Sequence, residues 1–140
     1  MNEYRKTYRP FIVWILLLFA VLLAAAILPA PFVSGETQTR ITVIATLVML
    51  DVLMLIIYRG EYVYWINGGP SFEQARDSGS AARKAYALAH LKPFLWATLI
   101  SAALMAASAL MNWPVWTDAL GACAVLVIAA LSTTRIKFPK

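Results

Sequence analysis

The chain has 140 residues, of which 61% are hydrophobic and 14% are charged, and its formal net charge is +5. Soluble domains contain about 45–50% apolar and about 25% charged residues, so the composition excludes an ordinary soluble domain. The basic residues stand beside hydrophobic runs and form no continuous patch or known binding motif, so the positive charge does not indicate a nucleic-acid partner.

The apolar residues are clustered in four runs, each close to the roughly 20 residues that a helix needs to cross a bilayer. The runs are 11–28, 41–58, 93–111 and 116–134. The sequence therefore predicts an all-α integral membrane protein, a single four-helix transmembrane domain over residues 1–140.

The basic residues predict how the chain is oriented. Every Lys and Arg except Arg40 lies before the first run, in the connection 59–92, or after the fourth run. By the positive-inside rule both termini are then cytoplasmic, as in a bacterial-type inner or plasma membrane. The two outer loops, 34–40 and 112–115, are short, so we expect two antiparallel hairpins.

The first run has a basic start and a small-residue stretch, 24–26, as a cleaved signal peptide does. Its apolar part is longer than the usual 7–15 residues of such a signal, so we expect a retained helix that ends at Pro29 and Pro31. A hydroxyl of Thr37 or Thr39 is expected to cap the second helix.

Asp51 is the only carboxylate in the second run. A charge near the bilayer centre costs at least about 2.5–3.5 kcal/mol, so it needs a partner, water or a function. In the third run Ser101 and Ser108 lie on one polar stripe, with Thr98 adjoining it. Ser101 is expected at nearly the depth of Asp51 and in contact with the acid. The stripe leaves two interpretations open: Asp51 is a structural hydrogen-bonding group, or it binds a proton or a cation together with these hydroxyls.

The connection 59–92 begins with turn chemistry at residues 67–70. Ser71 and Gln74 then form a capping-box pattern, which predicts a short helix that ends at about Asp77.

A second helix is predicted over 81–91, capped by Ser80, with Pro93 kinking or restarting the chain at the membrane. Its spacing is typical of an amphipathic helix that lies on the membrane surface. Four charged or titratable residues of this connection are candidates for contact with a partner or with lipid headgroups. They are Glu73, Arg83, Lys84 and His90.

Pairs of small residues four apart, such as Ala103 with Ala107 and Ala119 with Cys123, allow close helix packing. Four helices enclose little space, so a path for a solute needs two or more copies. The single cysteine, Cys123, excludes an internal disulfide and a cysteine-based metal cluster, and we expect no cofactor and no metal centre.

No enzyme motif is present, and two function hypotheses remain. The first is a small oligomeric transporter or channel for a proton-coupled or cationic solute, with Asp51 as the binding group. The second is a non-catalytic accessory subunit that docks a larger membrane complex through residues 61–92.

Overall fold

The computed structural model describes residues 4–139, in which 77% of the residues are helical and none is in a strand. The helices in chain order are α1 Arg9–Ile27, α2 Gly35–Gly60, α3 Phe72–Asp77, α4 Gly79–Leu110 and α5 Val115–Thr133, with a 3₁₀ turn at Val63–Trp65. By length and hydropathy α1, α2, α4 and α5 are each suited to cross a membrane. The predicted all-helical architecture with four such helices is confirmed.

Helix α2 is at the centre of the packing. It contacts α1, α4 and α5, and α4 also contacts α5, whereas α1 contacts no helix of the described chain other than α2. Trp14 is the only buried residue of α1, and its indole Nε1 donates to the backbone oxygen of Met49 at 2.8 Å. This hydrogen bond, made in an apolar environment, fixes α1 against the middle of α2.

Helix α4 continues through Pro93, so the expectation of a separate helix over 81–91 is wrong. A proline inside a helix costs about 3 kcal/mol, because it removes one backbone donor and crowds the preceding turn. The buried residues of α4 keep helical spacing on both sides of Pro93, and this continuous packed stripe offsets that cost. They are Arg83, Tyr86, Ala87, His90, Leu91, Ala97, Ser101, Met105 and Ser108.

Two of the predicted helix caps are also wrong. Helix α2 begins after Ser34, whose hydroxyl accepts from the backbone nitrogen of Thr37 at 3.3 Å, and Thr39 instead donates to a carbonyl inside the helix. Helix α4 begins one residue before Ser80, and the Ser80 hydroxyl donates to the carboxylate of Glu61. In both cases the helix begins before its apolar run, because the polar residues ahead of that run are also helical.

The capping box of α3 is confirmed. The Ser71 hydroxyl accepts from the backbone nitrogen of Gln74 at 3.2 Å, and the Gln74 side chain accepts from the backbone nitrogen of Ser71 at 3.0 Å. This reciprocal pair starts α3 directly after the turn, and the helix ends at Asp77 as predicted.

Gly69 closes the turn that joins the 3₁₀ segment to α3. A Cβ at this position would lie 2.8 Å from the backbone oxygens of both Val63 and Ile66, whereas a Cβ at Gly35 would meet nothing within 4 Å. We expect Gly69→Ala to lower the free energy of unfolding by about 1–3 kcal/mol, because backbone atoms must shift to admit the methyl group. Gly35→Ala is the matched control and is expected to be neutral or slightly stabilising. Thermal unfolding of the two variants in detergent micelles makes the comparison, and equal midpoints would contradict the close approach at Gly69.

Candidate functional site

The polar residues inside the apolar helices lie between α2 and α4. Asp51 is half-buried, and the side chain of Thr98 lies near its carboxylate. Three side-chain atoms, Oδ1 of Asp51, Oγ of Ser101 and Oγ of Ser108, are buried without a hydrogen-bond partner among residues 4–139. Ser101 and Ser108 are 1% and 2% exposed.

The expected hydrogen bond between Asp51 and Ser101 is wrong, because the Ser101 hydroxyl has no hydrogen-bond partner among residues 4–139. Thr98 precedes Ser101 by three residues, which is about 4.5 Å along a helix axis. The side chain that lies near the acid is therefore nearly one helical turn closer to the start of α4 than the sequence predicts.

An apolar cluster separates the two unpartnered serines. Leu47 of α2, Met105 of α4 and Ala122 of α5 pack together, and each is less than one-tenth exposed. Met105 lies between Ser101 and Ser108 on the same face of α4. The polar side chains consequently form two separate groups, one at Asp51, Thr98 and Ser101 and the other at Ser108.

An unpartnered polar atom in an apolar interior costs about 1–3 kcal/mol, and a charged one costs more. Asp51 with its neighbouring hydroxyls thus provides oxygen atoms whose bonding capacity is unfilled. Such a group of oxygens can hold a proton, a water molecule or a hard cation.

A buried ion pair lies near the N-terminal end of α2. The Arg40 Nε is 2.6 Å from Oδ2 of Asp118, and the side chains of Arg40 and Asp118 are 17% and 2% exposed. Arg40 also donates to the backbone oxygen of Trp113 at 3.5 Å. The pair joins the second turn of α2 to the first turn of α5. Its only signal in the sequence is the position of two opposite charges near the starts of helices that follow short loops.

A second ion pair links the end of α2 to α4. Arg83 Nε is 2.7 Å from Oε2 of Glu61, and Lys84 Nζ is 3.7 Å from Oε1 of the same carboxylate. The Arg83 Nη1 also donates to the backbone oxygen of Ala75 at 2.7 Å, and its guanidinium lies 4.0 Å above the ring of Tyr4. One side chain therefore holds together the N-terminal segment, α2, α3 and α4.

The expected surface position of Arg83 is wrong, because the residue is only 7% exposed. Lys84 and Glu73 are exposed, as a contact with a partner or lipid would require. The two basic neighbours differ in exposure because of helix geometry. Arg83 is on the buried stripe of α4, and the next residue, Lys84, points away from that stripe.

His90 is likewise not at the surface, where we expected it, but is 4% exposed. Its Nδ1 donates to the backbone oxygen of Tyr86 at 3.0 Å, and the two rings lie 4.3 Å apart. Since α4 is continuous, His90 follows Tyr86 by one turn on the buried stripe.

Tyr4 connects the N-terminal segment to the ion pair of Glu61 and Arg83. Its hydroxyl donates to the backbone oxygen of Glu61 at 2.7 Å, and its ring stacks on Phe72 at 5.3 Å. Burial raises the pKa of Tyr4 to about 12, although the nearby charge of Arg83 opposes this shift. The phenol therefore remains protonated and serves as a donor.

Four apolar helices of this length and hydropathy indicate that the chain is a helical membrane protein. Within residues 4–139 no three His, Cys, Asp or Glu side chains come together as metal ligands. Comparison with models of protein families, with curated proteins and with solved structures finds no match to this chain.

Proposed function

We propose that this protein is a small oligomeric membrane transporter or channel for a proton-coupled or cationic solute, and that Asp51 is the group that binds the proton or cation. The observation that supports this proposal is the buried Oδ1 of Asp51, which has no hydrogen-bond partner among residues 4–139. Acidic residues within membrane helices are commonly part of ion or proton pathways.

The energetics of the site favour an exchangeable ligand. A purely structural acid has its hydrogen-bonding capacity filled by neighbouring groups, whereas Asp51 has one side-chain neighbour, Thr98, and one oxygen without a partner. A bound proton or cation removes the cost of that unfilled oxygen. The same oxygen releases the ligand when water or a competing ion reaches it.

In this proposal the helices form two antiparallel hairpins in a bacterial-type inner membrane, with both termini in the cytoplasm. Two contacts support this topology: Tyr4 bonds to Glu61 at the end of α2, and Phe138 contacts the ring of Tyr86 at 5.1 Å. Both terminal segments therefore lie against the connection between α2 and α4, where most basic residues are found.

The proposal also requires more than one copy of the chain, embedded in membrane lipid. Leu47 and Met105 interrupt the polar groups between α2 and α4, so a continuous path does not run through one bundle. The small residues Ala103, Ala107 and Cys123 are exposed on α4 and α5, where a second copy can approach closely.

The alternative of an accessory subunit that docks through residues 61–92 has less support. Two of its four expected contact residues, Arg83 and His90, are buried and bonded within the chain. Of the four expected contact residues, Glu73 and Lys84 are left exposed for a docking partner.

Flux measurements test the role of Asp51. The full chain is reconstituted into liposomes, and proton, Na⁺ and K⁺ fluxes are followed with ion-sensitive dyes. We expect Asp51→Asn to abolish the flux, because the amide neither titrates nor supplies a charge to a cation. Asp77→Asn is the matched control, because Asp77 is an exposed surface acid paired with its neighbour Arg76. The flux of this variant should equal that of the parent protein.

Two outcomes would contradict the proposal. One is equal flux in the Asp51→Asn variant and the parent protein. The other is a parent protein that is folded and correctly inserted but conducts none of the tested ions under any gradient.

A further inference from the structure

A polar cleft of about 570 Å³ opens at the end of the bundle where the N-terminal segment meets the end of α2. It is lined by basic and hydroxyl-bearing side chains around one carboxylate. These are Arg5, Thr7, Arg59, Glu61, Ser80 and Arg83.

The charge of this cleft suits an anion. The carboxylate of Glu61 is already bound by Ser80, Arg83 and Lys84, so its negative charge is compensated within the chain. Arg59 is exposed and has no carboxylate partner among residues 4–139. A guanidinium group supplies paired N–H donors that match the oxygens of a phosphate.

The position of the cleft suits a lipid. Arg59 lies in the last turn of α2, and Thr7 comes two residues before the first residue of α1. Directly beyond, along α1, Ile12 and Leu16 are 56% and 66% exposed. The cleft therefore lies where two apolar helices reach their polar ends, which is the level of lipid headgroups.

We infer that this cleft binds the phosphate group of an anionic phospholipid, whose acyl chains lie along the exposed apolar face of α1. The phosphate is held by Arg59 together with the hydroxyl of Thr7. A neighbouring cleft lined by Lys6 and Arg76 extends the positive surface beyond Tyr4. This second basic surface favours a headgroup with net negative charge over a zwitterionic one.

The inference is tested on the purified full chain in a neutral detergent. Short-chain phosphatidylglycerol is titrated, binding is followed by native mass spectrometry, and phosphatidylcholine and inorganic phosphate are titrated in parallel. We expect phosphatidylglycerol to bind more tightly than either, and Arg59→Gln to weaken its binding about fivefold. Arg135→Gln, at another exposed arginine that does not line the cleft, is the matched control and should bind as the parent does.

Arg59→Lys provides a second variant that keeps the charge and is expected to lose less affinity than Arg59→Gln. Three results would overturn the inference. They are equal losses for Arg59→Gln and Arg135→Gln, equal binding of phosphatidylglycerol and phosphatidylcholine, and binding of inorganic phosphate as tight as that of the lipid.

Discussion

Replacement of Arg83 by glutamine is expected to lower the free energy of unfolding by about 3–5 kcal/mol, the usual loss when one partner of a buried ion pair is removed. The side chains of Arg83 and Glu61 are 9% and 15% exposed, so little water can replace the lost cation. The variant also loses the guanidinium donor to Ala75 and the contact with the ring of Tyr4. Unfolding by SDS in mixed micelles, followed by near-ultraviolet circular dichroism, measures the change.

Lys84→Gln is the control for Arg83→Gln, because it removes the same charge beside the same carboxylate. Lys84 is 52% exposed and its Nζ is 3.7 Å from Glu61, so we expect a loss below about 1 kcal/mol. Equal losses in the two variants would show that general surface charge, rather than the buried position of Arg83, stabilises this end of the bundle.

The pH dependence of stability gives the Arg83 prediction a second readout. Burial of Glu61 favours its protonated form, but hydrogen bonds from Ser80 and Arg83 and the charges of Arg83 and Lys84 outweigh this effect and hold its pKa below 4.5. A carboxylate with a lowered pKa stabilises the folded state above its unfolded pKa, and this stabilisation is lost as pH falls through the folded value. The parent protein should therefore lose stability below about pH 4.5, and Arg83→Gln should show less of this loss.

Local sequence patterns were sufficient for the features that neighbouring residues determine. The four apolar runs predict four helices of membrane-spanning length, and the pattern Ser71 to Gln74 predicts the capping box of α3. In each case the interacting groups lie within a few residues, so composition and spacing contain the necessary information.

The burial of Arg83 and His90 was predicted wrongly, because it depends on how the long helix α4 is rotated about its axis. Pro93 suggested a boundary, and a boundary would free the helix before it to lie on the membrane surface with Arg83 and His90 exposed. Because α4 is continuous, its rotation is set by Ala97 and Ser101 packing inside the apolar region. These residues lie more than ten positions after Arg83, so the residues around Arg83 do not predict which of its neighbours are buried.

The site at Asp51 was only partly predictable, for a related reason. The acid and the hydroxyls of α4 stand out because they are polar residues in apolar runs. Which hydroxyl lies near the acid depends on the axial offset between α2 and α4, and Thr98 precedes the expected neighbour Ser101 by about 4.5 Å along the helix axis. Arg40 and Asp118, 78 residues apart, form a contact that only the assembled bundle reveals.

Asp118→Asn is expected to lower the free energy of unfolding by about 3 kcal/mol, since it leaves the charge of Arg40 without its partner. This value is at the lower end for a buried pair, because the Arg40 side chain keeps 17% exposure and can reach some water. The same SDS titration measures the loss, and Asp77→Asn, which breaks an exposed pair, should lose less than about 1 kcal/mol.

The double variant Arg40→Gln with Asp118→Asn shows whether pairing is the cause. Removal of both charges leaves no buried ion unpaired, so the double variant should be more stable than Asp118→Asn alone by at least about 1 kcal/mol. Losses that simply add would contradict this account and would mean that each residue stabilises the fold through separate contacts. A less-than-additive result means that the two side chains stabilise the fold through their mutual contact, which joins α2 to α5.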